Sequence, residues 1–396
     1  SNDNDTLTLT GSVSTGATII NLTNTDDAIT QVNGDSSNPA VQKNFESVDA
    51  TALSDGSAGT GVTFTGNDEA NTFVESTAGD TVNLGSGDDT YVQVTDTADD
   101  TVDAGAGTGD ALALQGGADI NATGGAADDF ANYSNFEKLT AFGATSSAID
   151  FEAHADFASD TGITTIDFSA DTNATGDNVI DMSNVSGSGT DFDITGSDGK
   201  DTITGDGGVD TIKGGAGADV LNGGAGDDVI SVGTGDGAID DVKASAFDSI
   251  SQFEADNSNS AGDKLDVTTA TVVGTTSRVD FTSAVTLDSG DTIESFSVAA
   301  DGLVTLFDSN TSTGSAAELV ANRIPDIKAI ATQLGQETAS DNKATLFAVD
   351  IDGDGTNEGS AVAADNSSAL EIAYFTDFVG TGLVTSASSD DDILLH

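Results

Sequence analysis

The chain has 396 residues and a formal net charge of −58, from 68 acidic and 10 basic residues. This length exceeds what one ordinary hydrophobic core supports, so we expect two or three domains. The absence of cysteine excludes disulfides, thiolate metal sites and cysteine nucleophiles. The scarcity of basic residues excludes nucleic acid as a partner, because nothing would neutralise its phosphates.

The acidic residues are mostly aspartates set among glycines. A compact body with this excess of like charge repels itself unless something neutralises it. A divalent cation does so through oxygen ligands. A halophilic surface is the alternative, but it would not place its acids at a fixed spacing. Abundant Thr, Val, Ile and Asn, with two prolines, favour β-structure with many turns.

The segment 1–63 is predicted to be a β-rich N-terminal segment. Residues 1–20 show no basic stretch followed by an apolar one, so we expect no Sec-type signal. Either the chain begins after a processed or truncated start, or it is exported another way. No apolar run in the sequence is long enough to cross a bilayer, so the chain is not expected to be transmembrane.

The segment 64–115 contains a degenerate nine-residue repeat, read in GNDEANTFV, ESTAGDTVN and LGSGDDTYV. The sixth position of these units, and the matching point of two looser units that follow, holds an acid or an amide: Asn71, Asp80, Asp89, Asp100 and Asp110. We predict a degenerate β-roll here, with a flexible linker as the alternative. The candidate metal ligands in this tract are Asp80, Gly87, Asp89 and Asp100. The segment 116–195 has short β-like stretches and is predicted to be an irregular β-solenoid connector.

The segment 196–240 contains a strict nine-residue repeat in five units. The fourth position is always glycine: Gly199, Gly208, Gly217, Gly226 and Gly235. The sixth position is aspartate in four units: Asp201, Asp210, Asp219 and Asp228. The eighth position is always a large aliphatic: Ile203, Ile212, Leu221, Ile230 and Ile239. A flexible linker would show neither a fixed register nor a periodic aliphatic, so we predict a β-roll.

The repeat predicts calcium binding because of what each turn presents. One short strand plus one tight turn makes half a coil, and the glycines allow the turn's positive φ angles. Stacked turns then present carboxylates and carbonyl oxygens to one cavity, the oxygen-only set that calcium prefers. The expected pairs are Asp201 with Asp219 and Asp210 with Asp228. The candidate ligands of this tract are Asp198, Gly199, Asp201, Asp206, Gly208, Asp210, Gly215, Gly217, Asp219, Gly224, Gly226, Asp228 and Asp236.

The core of such a roll is thin, since one aliphatic residue in nine does not offset the ordering entropy. Each bound ion contributes roughly 2.7 kcal/mol at a hundredfold excess over Kd, so four ions contribute on the order of 11 kcal/mol. That sum is comparable to the stability of a whole domain. We therefore expect the chain to be disordered at low calcium and folded at millimolar calcium.

The stretch GGAGADVLNGGAGDDVIS (214–231) resembles the RTX (repeats-in-toxin) family, whose repeat is G-G-x-G-x-D-x-U-x with U a large aliphatic. The resemblance covers 196–240 specifically and 64–115 loosely. The unit starting at Gly196 departs from the motif at its second position, and the unit starting at Val232 lacks the sixth-position Asp. The resemblance implies a parallel β-roll with calcium between stacked turns, export by a type I secretion apparatus, and an uncleaved C-terminal signal.

The segment 241–396 is predicted to be a C-terminal β-rich domain that carries the secretion signal. Apolar residues at helical spacing over 315–335 predict one short helix, kinked or split at Pro325. We expect its apolar stripe to cover a sheet. The stretch DIDGDGTNE (350–358) resembles an EF-hand-type loop, but its twelfth position is Ala361 and not a bidentate Glu. An exposed acidic turn is the alternative, and the candidate ligands are Asp350, Asp352, Asp354, Thr356 and Glu358.

No catalytic motif stands out, because the chain has neither HExxH nor GxSxG, and its histidines are His154 and His396. We expect a non-enzymatic protein that is secreted, depends on calcium, and assembles with itself on the bacterial surface as a surface layer or filament. The resemblance also implies lipopolysaccharide as a candidate anchor. The alternatives are an RTX adhesin module and the C-terminal RTX part of a secreted enzyme whose catalytic module lies upstream of Ser1.

Overall fold

The computed structural model describes the chain in ranges that are separated by gaps. The described residues are 6–13, 18–22, 28–31, 40–41, 46–55, 61–94, 100–116, 119–121, 130–144, 147–173, 177–185, 189–233, 241–243, 247–251, 264–266, 271–272, 276–286, 292–298, 304–308, 329–330, 334, 343–349, 359–365, 370–375, 383–385 and 392–395. The chain divides into two compact units, Ser1–Lys200 and Asp201–His396. We refer to them as unit 1 and unit 2.

Unit 1 consists mainly of short strands separated by tight turns. Its elements are β1 Thr6–Val13, β2 Thr18–Asn21, β3 Ala28–Gln31, β4 Ala40–Val41, β5 Ser47–Asp55, β6 Val62–Thr65, β7 Thr72–Val74, β8 Thr81–Asn83, β9 Thr90–Gln93, β10 Thr101–Asp103, β11 Ala111–Leu114, β12 Asp119–Asn121, β13 Tyr133–Ser134, β14 Lys138–Ala141, β15 Asp150–Glu152, α1 Phe157–Thr161, β16 Thr165–Asp167, β17 Asn178–Asp181 and β18 Asp193–Thr195. Alternating strand residues point inward and outward, so even a three-residue strand buries its central side chain.

The strands of unit 1 pair as a solenoid does, each with the strand one coil away. The strand orders are β1-β5-β7-β9-β11-β14-β16-β18, β13-β10-β8-β6-β2-β3-β4 and β12-β15-β17. Parallel pairing of β7 with β9 sets Phe73 opposite Tyr91, which lies two repeats further along the chain. The exceptions are the pairs β2–β3 and β3–β4, which are antiparallel.

Unit 2 begins with the same coil pattern and ends in longer antiparallel strands. Its strands are β19 Asp201–Thr204, β20 Thr211–Lys213, β21 Val220–Asn222, β22 Val229–Ser231, β23 Asp241–Lys243, β24 Phe247–Ser251, β25 Lys264–Asp266, β26 Thr271–Val272, β27 Thr276–Thr286, β28 Thr292–Val298, β29 Val304–Asp308, β30 Lys343–Val349, β31 Gly359–Asp365, β32 Leu370–Phe375, β33 Leu383–Thr385 and β34 Asp392–Leu395. The orders are β20-β22-β24-β32-β31-β30-β26, β19-β21-β23-β25-β34-β33 and β27-β28-β29.

Parallel register in unit 2 follows the nine-residue repeat. Ile203 lies opposite Leu221, and Ile212 lies opposite Ile230, so the chain returns to the same side after two repeats. These four side chains are 0% exposed and form a narrow aliphatic core. The predicted mainly-β fold, with a parallel β-roll over the repeats, is therefore confirmed.

The core of unit 1 contains a run of packed aromatic rings, whereas the core of the unit 2 repeats is aliphatic. The ring of Phe73 lies 5.1 Å from Phe64 and 6.0 Å from Tyr91, and Tyr91 lies 5.7 Å from Tyr133 (centroid distances). Such ring pairs stabilise a core beyond the area that they bury. A degenerate repeat thus fills its coil with larger side chains.

Little of the predicted C-terminal helix lies in the described residues. Residues 329, 330 and 334 are helical, and Ile330 and Leu334 are fully buried, as expected for an apolar stripe that packs inward. Pro325 lies outside the described residues. No helix in the described ranges combines the length and apolar character needed to cross a bilayer.

Candidate metal centres

The repeat aspartates of unit 2 are linked through their backbones across adjacent coils. The amide of Asp201 donates to Oδ1 of Asp219, and the amide of Asp210 donates to Oδ1 of Asp228, each over 2.9 Å and 18 residues. The amide of Asp228 in turn donates to Oδ1 of Asp248, so that Asp210, Asp228 and Asp248 are linked in succession. We call such a series of amide-to-carboxylate hydrogen bonds a carboxylate ladder. It brings the two pairs expected from the sequence onto neighbouring coils.

These carboxylates are buried, which makes their charge costly. Asp201 and Asp210 are 0% exposed, and Asp219 and Asp228 are 1% exposed. Burial raises the pKa of Asp228, and the neighbouring charges of Asp206 and Asp227 raise it further. A buried carboxylate without a partner charge is strongly unfavourable, and a bound cation supplies that charge.

Two turns of the repeat take a conformation that only glycine adopts easily. The φ angles are 115° at Gly215 and 123° at Gly217, and the next turn repeats them with 97° at Gly224 and 152° at Gly226. A Cβ atom at Gly224 would overlap the carbonyl oxygen of Asp206 in the stacked turn. We call this glycine-based form an open turn, and it packs the backbone of one turn closely against the next.

The open turn of residues 223–228 leaves one carboxylate oxygen available. Oδ1 of Asp228 accepts the ladder hydrogen bond, whereas its Oδ2 is buried and accepts none. That oxygen lies directly beside Gly223, where a Cβ atom would collide with it. A buried anionic oxygen beside closely stacked backbone fits a hard cation that takes carboxylate and carbonyl ligands.

The preceding turn, residues 205–210, is closed by its own side chains. Asp206 accepts a hydrogen bond from the amide of Gly208 at 2.8 Å, and its own amide donates to Oδ2 of Asp210 at 2.9 Å. Oδ2 of Asp210 therefore receives a backbone hydrogen bond from within its own turn. We call this form a closed turn, because side-chain oxygens satisfy the amides that surround the turn.

The first repeat has a related side-chain closure. The hydroxyl of Ser197 accepts a hydrogen bond from the amide of Gly199 at 3.1 Å. The side chain of Asp198 is exposed, although its amide donates to the carbonyl oxygen of Asp171. The proposed ligand roles of Asp198, Gly199, Asp206 and Gly208 stay predictions.

Unit 1 contains two carboxylate ladders of the same kind. In one, the amide of Val62 donates to Oδ1 of Asp80 and the amide of Asp80 donates to Oδ1 of Asp100, both over 2.6 Å. In the other, each rung is a hydrogen bond from a backbone amide to the carboxylate of the next residue in the ladder. The amide of Asn71 donates to Asp89, that of Asp89 to Asp110, and that of Asp110 to Glu137. The sequence did not indicate a ligand role for Asp110, and no spacing rule points to Glu137.

Closed and open turns also alternate in unit 1. The amide of Ser76 donates to Oδ2 of Asp80 and its hydroxyl donates to Oδ1, both over 2.9 Å. The next turn has glycine at its second and fourth positions, with φ angles of 108° at Gly85 and 129° at Gly87. Burial raises the pKa of both Asp80 and Asp89 to about 6.

Asp100 lies in a buried polar cluster. Its Oδ2 accepts a hydrogen bond from the hydroxyl of Tyr91 at 2.8 Å, and the same hydroxyl also lies 3.1 Å from Oε2 of Glu75. Burial raises the pKa of Asp100. Both oxygens of Asp100 thus accept hydrogen bonds, so its role as a metal ligand stays a prediction.

Backbone carbonyl oxygens are the other protein ligands available to a calcium site in the described residues. Within the described ranges, no three Asp, Glu, His or Cys side chains are grouped so as to hold a metal ion. A site built from one or two carboxylates and several carbonyl oxygens is consistent with this finding. The remaining candidate ligands lie outside the described residues: Asp236, Asp350, Asp352, Asp354, Thr356 and Glu358.

Comparison with protein families identifies the repeats. The family model of the RTX calcium-binding nonapeptide repeat (4 copies) matches residues 187–220, 195–230 and 204–239. Comparison of the chain with curated proteins found no match. The matched segment contains both open turns of unit 2 and the pairs Asp201–Asp219 and Asp210–Asp228. The chain therefore carries RTX repeats, which bind several calcium ions.

Proposed function

We propose that the protein is a non-enzymatic structural protein, which assembles with copies of itself into a calcium-stabilised layer or filament on a bacterial surface. RTX repeat proteins are typically secreted. A type I secretion apparatus is the proposed export partner, and lipopolysaccharide is the proposed anchor.

One observation carries the self-assembly proposal, namely the edge of β1. Among the described strands, β1 pairs on one side only, with β5. Its residues TLTLTGSV include neither a charged residue nor a proline, the usual devices that protect an edge. A parallel strand of a second copy would continue the sheet by the same backbone hydrogen bonds.

In this proposal, the calcium concentration controls when the protein folds and assembles. At low calcium, repulsion among the buried carboxylates destabilises the stacked coils, so a smaller fraction of the chain is folded and assembly before export is disfavoured. At the higher calcium outside the cell, the coils are stabilised and β1 is presented as an ordered edge. His154 accepts a hydrogen bond from the amide of Asp156 through Nδ1, which supports a structural role for this histidine.

The test begins with full-length protein treated with a chelator and then titrated with calcium. Circular dichroism follows folding, light scattering follows particle size, and electron microscopy examines the product. We expect folding and then ordered particles. Folding to a stable monomer would overturn the assembly proposal, and glycan binding by that monomer would favour the adhesin alternative.

A pair of matched variants tests the edge itself. Thr8→Lys adds charge to an exposed position of β1, and Thr81→Lys adds the same charge to an exposed position of β8, which has neighbours on both sides. We expect Thr8→Lys to slow assembly while Thr81→Lys behaves as wild type. Equal assembly by both variants would show that β1 is not the interface.

A further inference from the structure

A pair of stacked turns in unit 1 has the features of the open turns in unit 2. The first turn is residues 84–89, and the second, one coil further on, is residues 104–110. Both lie outside the residues that match the RTX family model. This pair of turns is independent of whether the protein assembles with copies of itself.

The two turns stack in register through their backbones. The amide of Ala106 donates to the carbonyl of Gly85 at 2.9 Å, and the amide of Gly87 donates to the carbonyl of Ala106 at 3.3 Å. The φ angles of 108° at Gly85 and 129° at Gly87 are close to those of 115° and 123° at Gly215 and Gly217. The backbone of this turn therefore repeats the open form seen in the RTX tract.

Two buried carboxylates of this stack each have one oxygen with no hydrogen bond. Asp89 and Asp110 are both 0% exposed. Their Oδ1 atoms accept ladder hydrogen bonds, from the amides of Asn71 and Asp89 respectively. The Oδ2 atoms of both residues are buried and accept none.

Beside Gly107, the carbonyl oxygen of Gly87 comes close to the carboxylate oxygens of Asp110. A Cβ atom at this glycine would lie 2.6 Å and 2.7 Å from the two carboxylate oxygens of Asp110, and would also meet the carbonyl oxygen of Gly87. Its absence leaves room between a carboxylate and a carbonyl of adjacent turns. Asp88, Asp89 and Asp110 lie close enough to interact electrostatically, so their carboxylates together favour a cation at this point.

We propose that Asp89 and Asp110, together with the carbonyl oxygen of Gly87, hold a calcium ion between these two turns. The donors are all oxygen, and they combine carboxylates with a backbone carbonyl, which suits calcium better than a softer metal. The ion neutralises two buried carboxylates that otherwise oppose the fold. Calcium thus orders unit 1 as well as the RTX repeats.

The adjacent closed turn provides an internal contrast. Asp80 is as buried as Asp89, and burial raises its pKa equally to about 6. However, Oδ2 of Asp80 accepts a hydrogen bond from the amide of Ser76, so neither oxygen of this carboxylate is without a hydrogen bond. Burial alone therefore does not define the site; the open turn does.

The experiment counts calcium ions bound by the intact chain, using equilibrium dialysis with radioactive calcium. Asp110→Asn removes the anionic oxygen, and Gly107→Ala fills the space without changing the charge. We expect each variant to bind one ion fewer than wild type. Asp80→Asn and Gly109→Ala are the controls, and both should keep the wild-type number. Gly109 is suitable because the atoms nearest to a Cβ atom there belong to the flexible side chain of Asp88, the closest of them at 3.0 Å.

Circular dichroism at millimolar calcium shows whether each variant is folded. A folded Asp110→Asn or Gly107→Ala variant with the full wild-type number of ions would overturn the proposal. A crystal of the wild-type chain grown with calcium decides the matter if neither variant folds. An anomalous peak between Asp89 and Asp110 would support the site, and a featureless map there would refute it.

Discussion

The amide of Asp89 donates a hydrogen bond to Oδ1 of Asp110, 2.8 Å away and 21 residues further along the chain. The same relationship joins Asp201 to Asp219 and Asp210 to Asp228 in the RTX repeats. The repeat aspartate therefore has two separate roles. One oxygen fixes the backbone of the adjacent coil, and the turn conformation determines whether the other oxygen meets an amide or is available to a cation.

The first prediction separates the two oxygens of Asp228. Asp228→Asn keeps an oxygen that can accept the ladder hydrogen bond but removes the negative charge. Because the pKa of Asp228 is raised by burial, we expect the variant to melt higher than wild type in chelator and lower in millimolar calcium. Thermal melts by circular dichroism under both conditions measure whether the change in melting temperature reverses its sign. Asp156→Asn, at an exposed position with no proposed metal role, should leave both melting temperatures unchanged. If Asp228→Asn melted on the same side of wild type under both conditions, this role would be contradicted.

The second prediction concerns a closed turn. Ser76→Ala removes the hydroxyl that donates to Asp80 and accepts from the amide of Ala78. We expect a loss of about 1–3 kcal/mol in the free energy of unfolding, because buried polar atoms lose their partners. The loss should be equal with and without calcium, since both oxygens of Asp80 already accept hydrogen bonds. Urea titrations in chelator and in calcium provide the comparison, and a loss seen only in calcium would assign an ion to Asp80.

The third prediction is a pH dependence of the calcium-free fold. The pKa values of Asp80 and Asp89 are raised by burial from 3.8 to about 6. A raised folded-state pKa gives stability that is fully present below the unfolded value of 3.8 and is lost as pH rises through about 6. Each group then changes the free energy of unfolding by at most about 3 kcal/mol.

In chelator, the melting temperature should therefore rise as pH is lowered from neutral towards the unfolded-state pKa. Asp80→Asn should flatten part of this rise, because one titrating group is gone. A melting temperature that is constant through this window, or that falls, would show that the two carboxylates are not protonated in the calcium-free fold.

The fourth prediction tests how closely the turns stack. Gly224→Ala adds a Cβ atom at a φ of 97°, where it would also overlap the carbonyl oxygen of Asp206. Gly143→Ala is the matched control, because φ is 72° there and nothing lies within 4 Å of the added atom. We expect the control to cost about 1–2 kcal/mol from backbone strain alone, and Gly224→Ala to cost clearly more. Equal losses in urea denaturation would mean that the stacked turns move apart without penalty.

The sequence predicted the coil and the register because these depend on spacing. Aliphatic residues at the eighth position and aspartates at the sixth follow directly from a nine-residue period. The closed turns were not predictable, since Asp206 and Ser76 look like ordinary departures from a glycine position. Only the structure shows that their side chains accept hydrogen bonds from amides of the turn. Their own backbone amides donate to Oδ2 of the next repeat aspartate.

The ligand role proposed for Asp110 was missed for a similar reason. Its turn is one residue longer than that of Asp89, so a strict nine-residue frame does not align the two. Glu137 ends the same ladder at a separation of 27 residues, which no repeat rule contains. The spacing of residues in the sequence thus identified which coils stack, but not which carboxylates lie on adjacent turns.

The ladder rungs of unit 1 span 18, 20, 21 and 27 residues, yet each closes with a hydrogen bond of 2.6–2.8 Å. The entropy of closing a loop grows only with the logarithm of its length, so extending a coil from 18 to 27 residues costs about 0.4 kcal/mol. Segments inserted between rungs therefore cost the solenoid little. This gives the chain room to acquire new surface loops by insertion, while the buried aspartates keep the coils aligned.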